Sequence, residues 1–129
     1  VFEPKESVSL EGNSGPYLQY ALVRARSILR KIDQPPNNLS ITELDTFERR
    51  LAFKLCLFSQ AYEDSLDEYS AHHLCSYLYE LSTVFNQFYE NSRVIGSERA
   101  AVRSSLVVIY ERVLHKGLNI LGMPNLEQM

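Results

Sequence analysis

Tyr17, Tyr20 and Arg24 lie three and four residues apart in a segment that reads as helix. That spacing puts two aromatic rings and a guanidinium on one helix face. Rings of this kind stack on other flat rings, and an arginine fork donates several directed hydrogen bonds and attracts anions. No partner in this segment would activate either tyrosine as a nucleophile, so the chemistry on offer is recognition. Other candidate chemistry is thinner. His72-His73-x-Cys75 matches no common zinc spacing, and helix neighbours point in different directions. No Ser/His/Asp or Cys/His nucleophile arrangement can be argued. Cys56 and Cys75 read as small core residues, and Glu63-Asp64-Asp67-Glu68 reads as a solvated acidic face.

The elements that must position these residues read as helices throughout. The first is expected from about Pro16 to Ile32. Leu18, Leu22, Ala25, Leu29 and Ile32 form its apolar stripe. At 100° per residue, Tyr17, Tyr20, Arg24 and Lys31 share a face about 130° from the centre of that stripe. Burial therefore explains the leucines and leaves the tyrosines and Arg24 unexplained. Pro16 suits a first helical position, with Asn13 or Ser14 as cap. Gln34-Pro35-Pro36-Asn37-Asn38 ends the helix.

Ser40-Ile41-Thr42-Glu43 has capping-box spacing and is expected to open a second helix. Its core face would be Leu44, Phe47, Leu51, Leu55 and Phe58. A short polar helix is expected over Ser59 to Glu68. A third long helix is expected from about Ala71 to Tyr89, with Leu74, Leu78, Leu81, Phe85 and Phe88 as its stripe. A fourth is expected from near Glu98 to about Leu121, burying Val102, Leu106, Ile109 and Val113. Residues 1–10 read as a strand or loop. Four or five helices with one apolar stripe each imply an all-α antiparallel bundle.

With 129 residues, 45% of them hydrophobic, the chain is long enough for one domain with one core. No apolar run approaches membrane-spanning length, and no signal peptide is visible. Two cysteines do not make a disulfide framework, so a reduced, cytoplasmic setting is the simplest reading. The net charge of −3 is unevenly spread. Residues 17–32 hold Arg24, Arg26, Arg30 and Lys31 and no acid, while the rest is acidic. The first long helix is thus a basic element on an acidic body, suited to local phosphate contact.

The run from Gly12-Asn13-Ser14-Gly15-Pro16-Tyr17 through Arg24-Ala25-Arg26-Ser27 closely resembles the opening of the C-terminal, DALR-type anticodon-binding domain of arginyl-tRNA synthetases. The resemblance spans nearly the whole chain. Tyr77-Leu78-Tyr79-Glu80-Leu81 and Phe85-Asn86-Gln87-Phe88-Tyr89 resemble a later block of the family. Gly117-Leu118-Asn119-Ile120-Leu121-Gly122-Met123-Pro124 with Glu127-Gln128-Met129 resembles its C-terminal signature. Three blocks in order, with a matching end, are far more specific than any one.

The resemblance implies a single helical domain over residues 1–129, with residues 1–12 leading from an upstream class I catalytic domain. Its partners would be that domain and the anticodon stem-loop of arginine tRNA, with neither DNA nor a membrane implied. The upstream domain would join arginine to the tRNA using ATP. Neither a His-x-Gly-His nor a Lys-Met-Ser-Lys motif is present here. The fragment alone is therefore expected to be inactive and to hold no cofactor.

The family pattern puts anticodon contacts on Tyr17, Tyr20, Arg24, Tyr89 and Met129. Arg26, Arg30 and Lys31 would meet phosphates. Unstacked loop bases are read by aromatic stacking and by hydrogen bonds to their exposed edges, which these residue types supply. Three positions depart from the pattern. Ser14 stands where threonine is usual, Ser92 where cysteine is common, and Gln128 where arginine usually precedes the final methionine. Two other readings fit the residues alone: a non-catalytic tRNA-binding adaptor, and a helical protein-interaction module.

Overall fold

Leu74, Leu78, Leu81, Phe85 and Phe88 recur at helical spacing, and they bury one side of the longest central element. The computed structural model describes residues 14–32, 43–67 and 71–122. Among these it contains α1 (Ser14–Arg30), α2 (Thr46–Cys56), α3 (Phe58–Asp67), α4 (His72–Asn91) and α5 (Ala100–Ile120). The fold is the all-α antiparallel bundle expected. Helix α4 touches each of the other four, and α1 lies across α4 and α5.

The core is continuous between these helices. Leu18, Leu22, Ala25 and Ile28 of α1 meet the α4 stripe and Leu106, Val107, Tyr110, Leu114 and Leu118 of α5. Each fully buried leucine or phenylalanine contributes about 1.5–3 kcal/mol before chain entropy is charged against it. On α1 the expected stripe holds except at its end, where Ile28 is buried and Leu29 and Ile32 are only partly so. On α5 the buried face is rotated from the expected one. Val102, Ile109 and Val113 are half-buried, and Tyr110 takes the centre. A buried phenol needs a partner, and the Tyr110 hydroxyl donates to Ser82 Oγ at 2.8 Å.

Gly117, in the C-terminal signature, lies where α5 presses on α4. A Cβ there would stand 2.6 Å from Leu78 Cδ1, and Leu78 is itself fully buried. Gly117→Ala is expected to destabilise the chain by about 1–3 kcal/mol through overpacking, although alanine is the better helix former. Urea unfolding checks this, and a raised midpoint would contradict it. Gly122 ends α5 in the left-handed region, at φ +77°.

The start of α2 differs from the expectation. Glu43, Leu44 and Asp45 are not helical, and Ser40 to Thr42 lie outside the described residues. Asp45 is the cap instead. Its Oδ1 accepts the Glu48 backbone N–H at 2.8 Å, and its own N–H donates to Glu48 Oε1 at 2.9 Å. The same Asp-x-x-Glu spacing occurs five residues after the expected one, and tertiary partners favour it. Arg99 donates to both Glu48 oxygens, and Arg103 Nε donates to Oε2 at 2.8 Å. Arg103 also reaches Asp45 Oδ2 at 3.1 Å and the Arg93 carbonyl at 2.8 Å. Glu48 is a completely buried carboxylate that ties α2 to the α4–α5 connection.

Three further expectations resolve locally. Cys75 is buried, but Cys56 is exposed at the end of α2 and is not a core residue. Ser92 Oγ is buried and, among the described residues, has no hydrogen-bond partner. A thiol, the weaker hydrogen-bonding group, would leave less unmet there. Glu63, Asp64 and Asp67 are exposed on α3, which packs on α4 and α2; Glu68 lies outside the described residues. No helix among the described residues is long and apolar enough to cross a membrane.

Candidate nucleic-acid interface

Burial of Leu18, Leu22 and Ala25 fixes the rotation of α1, and that rotation decides where its tyrosines and arginines go. Pro16 is tolerated within the first turn, two residues after the helix opens at Ser14, because N–H groups there lack intrahelical acceptors. Ser14 is therefore inside the helix rather than its cap; Gly12 and Asn13 lie outside the described residues. Tyr17 is half-buried and its ring packs on Tyr79 of α4 with centroids 5.1 Å apart. Tyr20 lies one turn on and is 60% exposed. Arg24 crosses to α4, where Nη1 donates to Asn86 Oδ1 at 3.0 Å. Its guanidinium carbon sits 5.5 Å from the centroid of the Tyr89 ring, within cation–π range.

Tyr17, Tyr20, Ala21 and Arg24 thus form one wall of a pocket of about 90 Å³, with Phe85 and Asn86 of α4 and Tyr110 of α5 completing it. Small-molecule sites commonly enclose about 300–1,000 Å³. This space admits the edge of one planar ring. The pocket rests on a stack of rings. Tyr89 is nearly parallel to Phe85 (6.1 Å, 12°), and Phe85 is nearly parallel to Tyr110 (4.0 Å, 8°). Arg24 is therefore supported by an aromatic column that reaches into the core.

The electrostatics favour donation outward. Among the described residues the partners of Arg24 are an amide and a ring, not a carboxylate. Among the described residues no carboxylate pairs with its charge. Burial pushes the Tyr17 hydroxyl above the usual phenol range, against the opposing hydrogen bonds of Thr83 and Asn86. Tyr17 stays protonated at any physiological pH. Tyr110 is raised further by its burial.

Of the residues expected to contact a ligand, Tyr17, Tyr20, Arg24 and Tyr89 come together. Arg26 does not join them. It faces α5, where Nε donates to Glu111 at 3.1 Å and Nη2 donates to His115 Nδ1 at 2.7 Å. Arg26 acts between helices, with its charge matched by Glu111. Arg30 and Lys31 are exposed at the end of α1, about 10 Å along the axis from Arg24. Met129 and Gln128 lie outside the described residues. His72 and His73 are exposed on α4, while Cys75 turns inward.

Four residues in or beside the pocket were not read as site residues from the sequence: Tyr79, Phe85, Asn86 and Tyr110. A signal for the first three was present. All three stand in the block that resembles the family, and Tyr79 and Asn86, seven residues apart, lie on one face of α4 beside its stripe. Tyr110 carried no signal separable from packing.

The family model described as the DALR anticodon binding domain matches residues 18–129. The arginine–tRNA ligase of Mannheimia succiniciproducens is 39% identical over the whole of this chain and 23% of its own length. That of Haemophilus influenzae strain 86-028NP is 38% identical over the same shares. Among solved structures, the arginyl-tRNA synthetase of Thermus thermophilus superposes with a TM-score of 0.81 at 36% identity, covering 99% of this chain and 23% of that one. The arginyl-tRNA synthetase of Plasmodium falciparum gives a TM-score of 0.81 at 28% identity, with the same coverage. The chain therefore spans about a quarter of the length of these relatives. The family match takes in α1 from residue 18 and every later helix, and on that ground the chain belongs to the DALR anticodon-binding domain family.

Proposed function

We propose that this chain reads the anticodon loop of arginine tRNA on behalf of an arginine–tRNA ligase. The observation that carries the reading is the convergence of Tyr17, Tyr20 and Arg24 on one pocket, with Tyr89 behind the guanidinium and, among the described residues, no carboxylate bonded to it. Family membership and relatives named as arginine–tRNA ligases support arginine tRNA as the RNA. In this reading Tyr20 is a stacking platform for a splayed base, and Arg24 and the Tyr17 hydroxyl donate to its edge. Cytosine, the middle base of most arginine anticodons, presents adjacent acceptors at N3 and O2 and suits such a donor pair. Tyr89 backs the guanidinium. Arg30 and Lys31 meet phosphates and position the loop, whereas Arg26 braces α1 against α5. Met129 would add an apolar wall. The enzyme's catalytic domain, with ATP, would charge the tRNA in the cytoplasm.

A low-salt titration of the 129-residue chain with two anticodon stem-loops tests this. One comes from arginine tRNA, and the other replaces only its middle cytosine with uracil. Preference for the first is the expected result. Equal, salt-sensitive binding would reduce the role of the chain to backbone contact, and no binding would overturn the reading.

A further inference from the structure

The side chain of Asn86 touches both residues that face the reacting edge of the pocket. Its Oδ1 accepts from Arg24 Nη1 at 3.0 Å, and its Nδ2 donates to the Tyr17 hydroxyl oxygen at 3.4 Å. The orientation of this amide is not arbitrary. Arginine has no acceptor, so the amide oxygen must face Arg24. The nitrogen is then left facing Tyr17, whose oxygen must accept. A hydroxyl that accepts from Asn86 keeps its own proton for an acceptor elsewhere.

We infer that Asn86 is a specificity-positioning residue: one amide holds Arg24 and Tyr17 so that both present only donors to a base lying in the pocket. The inference rests on the anticodon reading and says how its selectivity arises. A donor-only wall accepts a pyrimidine edge with acceptors at N3 and O2, as in cytosine. It disfavours uracil, whose N3–H would point at another donor and leave both unpaired. Asn86 touches the base through neither atom; it acts through Arg24 and Tyr17. Tyr79, packed on Tyr17, limits the other directions in which that ring can swing.

The test compares cytosine and uracil stem-loops on four forms of the chain: wild type, Asn86→Ala, Asn86→Asp and Arg24→Ala. Asn86→Asp is nearly isosteric, so it remains informative where Asn86→Ala weakens the α1–α4 contact. Its carboxylate would accept from both Arg24 and Tyr17, drawing the Tyr17 proton inward and neutralising the guanidinium. The expected result is a cytosine preference cut about fivefold or more in both Asn86 variants, the scale of one lost hydrogen bond. In Asn86→Ala the uracil loop should lose less affinity than the cytosine loop. A purely structural role would lower affinity for both loops equally and leave the preference intact, which overturns the inference. If Arg24→Ala abolishes the preference while both Asn86 variants keep it, the inference falls and the anticodon reading stands. If Arg24→Ala also keeps it, both fall.

Discussion

Arg24→Ala is expected to weaken binding of the arginine anticodon stem-loop roughly 10- to 100-fold, since a directed guanidinium–base contact carries about 1–3 kcal/mol. The size follows from the surroundings of Arg24. Its partners are Asn86 and the Tyr89 ring, so the guanidinium is aimed but not discharged. Tyr20→Ala should produce a loss of similar size, because base–aromatic stacking contributes about 1–3 kcal/mol. At 60% exposure Tyr20 gives the fold little, and its removal should leave the unfolding midpoint unchanged. Tyr17→Ala is the less clean probe, since its ring also packs on Tyr79. A binding titration paired with circular dichroism checks the effect. Folded Arg24→Ala and Tyr20→Ala chains that both bind within threefold of wild type would remove these residues from the site.

The second large effect concerns stability. Glu48→Gln is expected to cost about 1.5–3 kcal/mol, because it removes the buried charge that Arg99 and Arg103 share and leaves Arg103 with Asp45 alone. A domain of this size is stabilised by only about 5–15 kcal/mol in all. Burial alone would raise the Glu48 carboxyl. Arg99, the Asp45 backbone N–H and Arg103 outweigh it and hold the group at about 2, against an ordinary 4.5. A carboxyl held lower in the folded chain than in the unfolded one stabilises the fold above the unfolded value. That contribution disappears as pH falls from about 4.5 through about 2. The wild-type chain should therefore lose roughly 3 kcal/mol across that interval from this group. Glu48→Gln should lack this component of the acid transition. Urea unfolding at several pH values measures both. A Glu48→Gln chain within 1 kcal/mol of wild type at neutral pH, or one with the wild-type acid slope, would show that the cluster does not carry the fold in this way.

The two predictions also separate what was legible in the residues from what was not. Helix α4 could be read from Leu74, Leu78, Leu81, Phe85 and Phe88, because a long amphipathic stripe has one stable orientation against a core. The same argument placed Leu18, Leu22 and Ala25 inside and Tyr20 and Arg24 outside. Capping was read at the wrong tetrad. Ser40 to Glu43 and Asp45 to Glu48 carry the same local signal. The choice between them rests on Arg99 and Arg103, more than fifty residues away. The α5 face was misjudged by one position, since a tyrosine is not read as core until a partner such as Ser82 is known. Cys56 looked like a core residue by type, and only the exposed end of α2 says otherwise.

What the sequence determined by itself was the helical period, the composition of each buried stripe and the presence of an aromatic–basic face on α1. These depend on residue type and on spacing within one element, which local physics controls. The tertiary structure decided which charges remain available. It matched Arg26 to Glu111 and left Arg24, two residues earlier, beside an amide and a ring. It also brought Asn86 and Tyr89 to Arg24 from more than sixty positions away and set Tyr110 beneath them. The physical reason is that a helix face has no chemistry of its own until packing settles what lies opposite it. Whether an arginine is neutralised or presented depends on the neighbouring helix, and no periodicity within α1 encodes that.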